Sequence, residues 1–351
     1  MHMADALLHP AVGAVMYAAT AAAVTVSAVK LKKDEEPAKL PTMAVTAALV
    51  FAGQMINYTI PGTGSSGHLC GGMLLSALLG PYAGFLSMAV ILAIQCLFFA
   101  DGGLLALGAN CWNMAFYGCF VGYFLIWRPI MKSKWFGEGR SAERARIITA
   151  SIAGCVITLQ LGALSVVIET SLSGITELPF GAFVALMQPI HLAIGLVEGL
   201  ITAAVLVFVY DSRPELLQGV ELSESEGGKR SLRTVVAILA AVAIVVGGGL
   251  SLMASSNPDG LEWALFGNKD GGYSTNMGLD EEQFGVESTA AEKAGSIQEK
   301  TSFLPDYSFP GSDSAAGTSV SGIVGAAIVA GVAILICFIG GFFRRRKIRT
   351  E

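Results

Sequence analysis

Charge is scarce in this chain. Only 14% of its 351 residues are Asp, Glu, Lys or Arg, while 53% are hydrophobic, and the mean hydropathy is +0.63. Soluble domains carry about 25% charged residues, so a water-soluble fold is excluded. No G-x-x-x-x-G-K-[ST] stretch occurs, so the chain has no phosphate-cradling loop with which to hydrolyse ATP. No H-E-x-x-H stretch occurs either, which argues against a zincin-type hydrolase. The apolar runs lack the dense chain of carboxylates that a proton-coupled pump tends to show. Six cysteines lie mostly inside apolar runs without paired spacing; they predict packing residues rather than a disulfide framework. The methionines are scattered, which points to packing and away from a thioether copper path. No basic stretch precedes the first apolar run, and that run is too long for a cleaved signal. Nothing suggests a nucleic-acid partner, and none is expected.

What the chain does have is length of apolar run. Nine stretches approach the roughly 20 residues that cross a bilayer: 10–29, 43–60, 69–79, 82–99, 104–127, 147–168, 180–210, 232–253 and 320–343. The 42 glycines suit helices that approach closely in lipid. The expected fold is therefore an all-α polytopic membrane protein. It comprises a seven-helix bundle (1–210), a polar connector (211–231) with a solvated Glu/Ser/Gly run, and a two-helix unit (232–351) around an acidic outer loop, 254–318. Lys30, Lys32 and Lys33, the Arg128–Arg146 cluster, Lys229, Arg230 and Arg233, and Arg344, Arg345, Arg346 and Lys347 fall in loops on one side. Asp101, Glu169, Glu177 and the acidic loop fall on the other. Positive charge marks the cytoplasmic side, so Met1 and His68 are expected outside, on one face, with the C-terminus inside.

The first two residues are the candidate centre. A free amine, the backbone nitrogen of residue two and the His2 imidazole close two small chelate rings around one cation. One further imidazole completes the square plane that Ni(II) and Cu(II) favour. His2 is bulky and disfavours removal of the initiator, so Met1 is expected to carry the amine. His68, after a supple Gly/Ser loop and opening the third span, is the expected fourth ligand. His9 reads as an interfacial or supporting group. His191 and Glu198, seven apart on one helix face, read as a hydrogen-bonded supporting pair, because ionisable groups in a span face the bundle interior. Gln54, Asn57, Asn110 and Asn113 are expected to tie helices together or to orient a metal-bound imidazole. Asp5 is expected to bond the Met1 segment or the loop at Ser65 and Ser66.

Four separated motifs carry a family resemblance: Met1-His2-Met3-Ala4-Asp5; Gly62-Thr63-Gly64-Ser65-Ser66-Gly67-His68-Leu69 with Gly71-Gly72; Phe99-Ala100-Asp101-Gly102-Gly103; and His191-Leu192-Ala193-Ile194-Gly195-Leu196-Val197-Glu198-Gly199. Residues 1–210 resemble the CbiM/NikM family, the substrate-capture subunits of energy-coupling factor (ECF) transporters for cobalt and nickel. The segment opening Asn257-Pro258-Asp259-Gly260-Leu261-Glu262-Trp263 is similar to the small CbiN/NikN component, so the whole resembles a fused pair. The resemblance implies a metal held by the amine of Met1, the amide and imidazole of His2, and His68. It implies partners too: a transmembrane coupling (T) subunit and two ABC-type ATPases in the cell membrane, with the smaller unit assisting metal loading. No permanently bound cofactor is implied; Ni(II) or Co(II) is the cargo. Met3 stands where the family commonly has Ile, and His9 adds a possible ligand. Square-planar nitrogen donors favour nickel, with cobalt uptake for cobalamin synthesis as the alternative. Two other classes stay open on residues alone. A membrane metal sensor predicts metal-dependent association without uptake. An intramembrane metallohydrolase predicts that Glu198→Gln abolishes turnover with metal retention intact.

Overall fold

A backbone surrounded by lipid must satisfy its own N–H and C=O groups, and this chain does so almost wholly with helices. The computed structural model describes residues 1–31, 39–175, 178–220, 230–268, 285–286, 288–311, 314 and 316–348, without the side chains of 39–40 and 337–348. Lys32, Lys33, Glu177, Lys229, the Glu/Ser/Gly run 221–228 and the side chains of Cys337, Arg344, Arg345, Arg346 and Lys347 lie outside the described residues. Helices α1 (Pro10–Leu31), α2 (Lys39–Gln54), α3 (Gly72–Leu79) and α4 (Pro81–Phe99) come first. Then follow α5 (Leu107–Met131), α6 (Arg140–Leu172), α7 (Phe180–Ser212), α8 (Leu232–Gly248), α9 (Gly260–Phe266), α10 (Thr289–Thr301) and α11 (Ala316–Ile348). Among the described residues seven helical segments are long and apolar enough to cross a membrane. The five described cysteines are buried and free.

The second and third expected spans differ from this pattern. The second stops at Gln54, and the chain then forms an antiparallel hairpin, β1 (Tyr58–Ile60) against β2 (Ser65–Gly67). The third is eight residues long, about 12 Å at 1.5 Å per residue, too short to cross by itself. Two local features explain this. Pro61-Gly62 makes a turn, and Gly71 holds φ at 87° immediately before α3, a left-handed conformation that favours glycine. All eight α3 residues are buried. The stretch at Gly62–His68 is therefore a held element rather than a supple loop, with Ser65, Ser66 and Gly67 all buried.

Small residues set the packing, as expected where lipid gives no hydrophobic drive between helices. A Cβ on Gly72 would lie 3.0 Å from the Gly118 Cα of α5, and one on Gly199 would lie 2.7 Å from the Ile152 Cα of α6. Helices α8 and α11 meet at Gly247 and Gly322, and Gly325 lies flat against Phe51 of α2. The last two long helices thus pack on α2. Residues Cys111–Trp127 of α5 are wound with i→i+5 bonds, a rare geometry. At the basic end, Arg144 Nη2 donates to Asp211 Oδ1 at 2.8 Å and Arg146 Nε to the Ser133 carbonyl at 2.9 Å. The 254–318 segment is more structured than a loop: α9 and α10 fold within it and dock on the first bundle.

Candidate metal centre

Residues 1–7 lie in a groove of the bundle and form no sheet, so their backbone groups need side-chain partners. Asn110 on α5 supplies them: the Met3 N–H donates to its Oδ1 at 2.7 Å, and its Nδ2 donates to the Met3 carbonyl at 3.2 Å. The Gly103 N–H donates to the same carbonyl at 2.8 Å. Asn113 Nδ2 donates to the Met3 sulfur at 3.6 Å and to Glu169 at 2.8 Å. Asp5 does not reach the Met1 segment or Ser65 and Ser66. Its Oδ1 accepts from the Ala106 N–H at 3.0 Å, because the chain turns into a short 3-10 helix at Asp5–Leu7. Burial raises its carboxyl pKa, with backbone donors pulling the other way. A Cβ on Gly103 would fall 1.8 Å from Asp5 Oδ1, so only glycine admits this carboxylate.

His68 follows β2. Its Nδ1 lies 3.1 Å from the Leu69 carbonyl; a carbonyl only accepts, so Nδ1 carries the proton and Nε2 keeps its lone pair. That tautomer suits a metal ligand. Burial, then the nearby Met1 ammonium, push its pKa down to about 4, so the ring is neutral at pH 7. The turn after His68 is fixed by Glu198, whose two oxygens accept from the Cys70 N–H at 3.0 Å and the Gly71 N–H at 2.9 Å. Gln54 Nε2 donates to the Cys70 carbonyl at 2.9 Å.

The His2 ring stacks on the His68 ring, centroids 5.4 Å apart and planes at 19°. Its Nε2 lies 3.3 Å from Gln95 Oε1, and Gln95 in turn donates to Gln54 Oε1 at 3.0 Å. Its Nδ1 lies 3.1 Å from Asp101 Oδ1, and Tyr307 donates to the other Asp101 oxygen. Burial lowers the His2 pKa, partly offset by Asp101. The Met1 ammonium donates to Asp259 Oδ2 at 2.7 Å. Burial raises the Asp259 pKa, but that ammonium, His68 and the Glu262 N–H together outweigh it and hold the carboxyl well below the usual carboxylate range. Met1, Gly67, His68, Cys70, His191 and Asp259 are among the residues lining one cavity of about 20 Å3, room for a single water-sized occupant.

Several sequence expectations change here. His191 does not bond Glu198; its Nδ1 pairs with the Met187 carbonyl at 2.8 Å. Seven residues along a helix is about 10 Å of axis, so the two groups meet different partners, although His191 does line the cavity. His9 is exposed and accepts from the Ala11 N–H at 3.2 Å, away from the cavity. The Asn57 backbone carbonyl accepts from the Ser255 N–H at 2.7 Å, a tie to the second unit. Ser65 and Ser66 likewise bond outward: Ser66 N–H donates to the Pro258 carbonyl at 2.8 Å and Ser66 Oγ to the Asn257 carbonyl at 2.8 Å. Gln95 and Tyr307 were not singled out by sequence, and Asp101 and Asp259 only as motif or loop residues. Among the described residues no three His, Cys, Asp or Glu side chains form a metal cluster.

A family model described as the cobalt uptake substrate-specific transmembrane region matches residues 2–216, and the PDGLE domain matches residues 233–341. Pro258, Asp259, Gly260, Leu261 and Glu262 spell that second name. The chain is 36% identical over 332 residues to the putative fused nickel transport protein NikMN of Archaeoglobus fulgidus, covering 94% of this chain and 95% of that one. It is 33% identical over 271 residues to the probable fused nickel transport protein LarMN of Lactiplantibacillus plantarum, covering 75% and 78%. Among solved structures, a crystal structure of a truncated transition metal transporter aligns with a TM-score of 0.51 at 33% identity, covering 60% of this chain and 98% of that one.

Proposed function

This chain belongs to the cobalt uptake substrate-specific transmembrane family and carries a PDGLE domain behind it; from that premise we propose that it captures a divalent transition metal for uptake. Met1 amine, His2 amide, His2 imidazole and His68 are the ligands, and Ni(II) is the preferred cargo over Co(II). The observation that carries this reading is convergence: Met1 and His68 line one small cavity, and the His2 ring lies stacked against His68. The amine and the amide nitrogen close a five-membered ring. Nδ1 of His2 closes a six-membered one, so capture turns Nδ1 from Asp101 to the metal. Four nitrogens in a plane favour nickel on geometry, and relatives named as nickel transport proteins support the same choice.

The cargo enters from the extracytoplasmic face of the cell membrane, where the positive-inside rule puts the N-terminus. Residues 1–210 form the capture unit and 232–351 the accessory unit, joined through 211–231. Since the chain has no nucleotide-binding loop, ATP is hydrolysed elsewhere: an ECF coupling (T) subunit and two ABC-type ATPases supply the drive. The test is metal content by mass spectrometry, with the native N-terminus, with residues added before Met1, and with His68→Ala. The native chain retains near-stoichiometric nickel or cobalt, and both altered forms lose it. Equal retention in native and extended chains removes the amine from the ligand set and sinks the reading.

A further inference from the structure

We propose that Asp259 is a positioning residue of the metal site, supplied by the accessory unit, whose carboxylate holds the Met1 amino group both before and during metal capture. The inference rests on the ligand set given above. Asp259 is built to face the amine. It caps α9, with Oδ1 accepting from the Leu261 N–H at 2.8 Å and the Glu262 N–H at 2.8 Å. That leaves Oδ2 pointed at the Met1 ammonium, 2.7 Å away. The segment carrying it is pinned to the hairpin that carries His68: Ser66 bonds the Asn257 and Pro258 carbonyls, and Asn268 Nδ2 donates to the Gly64 carbonyl at 2.7 Å. Gly260 closes the packing, since a Cβ there would lie 3.1 Å from His191 Cε1. One assembly therefore sets the amine and His68 relative to each other.

Charge conservation says why the carboxylate stays when the metal arrives. As M(II) enters, the ammonium gives up one proton and the His2 amide gives up one, both to solvent. The divalent cation replaces two protons, so the net charge beside Asp259 does not change. The coordinated amine uses its lone pair on the metal and retains two N–H bonds, one of which continues to donate to Oδ2. A carboxylate acting as a lock would have to leave instead, and its removal would tighten binding.

The test uses the full chain with NiCl2 as probe, in the native, Asp259→Asn, Asp259→Glu and N-terminally extended forms. Asn retains the helix cap, so α9 still folds. Nickel affinity is measured by competition against a chelating indicator, and the nickel d–d absorption band is recorded for each form. Outer partners of metal ligands typically set roughly 10–100-fold in affinity, and D259N is expected to lose that much with the band position unchanged. D259E recovers part of the loss. In the extended chain, where the amine no longer sits in the site, D259N adds nothing to the defect. Affinity that is equal or tighter in D259N overturns the proposal, as does a further loss in the extended chain. A shifted band also overturns it by making Asp259 a ligand. Full retention of nickel by the extended chain refutes the ligand set itself. A normal D259N beside a defective extended chain refutes only the role of Asp259.

Discussion

Glu198→Gln tests how His68 is held. Both carboxylate oxygens of Glu198 are occupied, by the Cys70 and Gly71 N–H groups at 3.0 and 2.9 Å, and the residue is 1% exposed. Glutamine retains one acceptor and turns an NH2 toward the other N–H. The second bond is lost, and a buried donor is left without a partner. A hydrogen bond to a charged group contributes about 1.5–3 kcal/mol, and an unsatisfied buried donor costs about 1–3 kcal/mol. These overlap, so a loss of about 2–4 kcal/mol is expected. Cys70 is two residues beyond His68, and about 1.4 kcal/mol of that loss reaching the imidazole is a tenfold change in affinity. Thermal unfolding in detergent and nickel competition on the same sample read the two effects. E198Q is expected to melt earlier and to bind nickel at least about tenfold more weakly. An E198Q protein that melts and binds like the parent would show that these bonds do not fix the turn. Normal nickel content with uptake abolished would instead favour a chemical role for Glu198.

Asn110→Ala leaves the buried Met3 N–H unpaired, at a cost of about 1–3 kcal/mol. Hydrogen exchange at residues 1–8 and nickel release should both quicken, whereas unchanged exchange there would refute the clamp. One part of the pH dependence of stability comes from His68, in addition to that of His2. Its folded pKa is pushed down to about 4 from 6.5, so between those values the unfolded chain binds the extra proton. The stability contribution is complete above pH 6.5 and is lost as pH falls toward 4. Melts of chelator-treated protein should decline across that window, and less so in His68→Gln; identical slopes would rule out this assignment.

The long helices were legible because lipid forces one solution on an apolar run. The segment from Gln54 to Gly72 was not, because hydropathy counts residues and does not see strand pairing. Tyr58-Thr59-Ile60, then Pro61-Gly62, then Ser65-Ser66 is nevertheless a hairpin signal that local pattern contains. Met1, His2 and His68 were legible as a set because the chain has four histidines and the charge bias places these three on one face. Their supports were hidden by distance along the chain. Gln95 meets His2 across 93 residues, and Asp259 meets Met1 across 258. The Asp259-Gly260-Leu261-Glu262 pattern announces a helix cap, but nothing local says that the second oxygen faces an amine. His191 and Glu198 failed as a pair for a simpler reason: sharing a face is not sharing a height.

Residues 257–268 of the second unit form a cover beside the cavity, with Asp259 and Gly260 in its lining. An ion pair joins it to Met1, and bonds from the Ser66 N–H and hydroxyl and from Asn268 join it to the hairpin. Between two separate proteins, such a contact would have to repay the loss of free translation and rotation at every encounter. Within one chain that loss is met by covalent connection, and the local concentration of one partner at the other is on the order of millimolar. Asp259 is thereby kept close to the Met1 amine by the chain itself as well as by the ion pair between them. A cover supplied by the same chain therefore needs no second binding encounter to reach the amine.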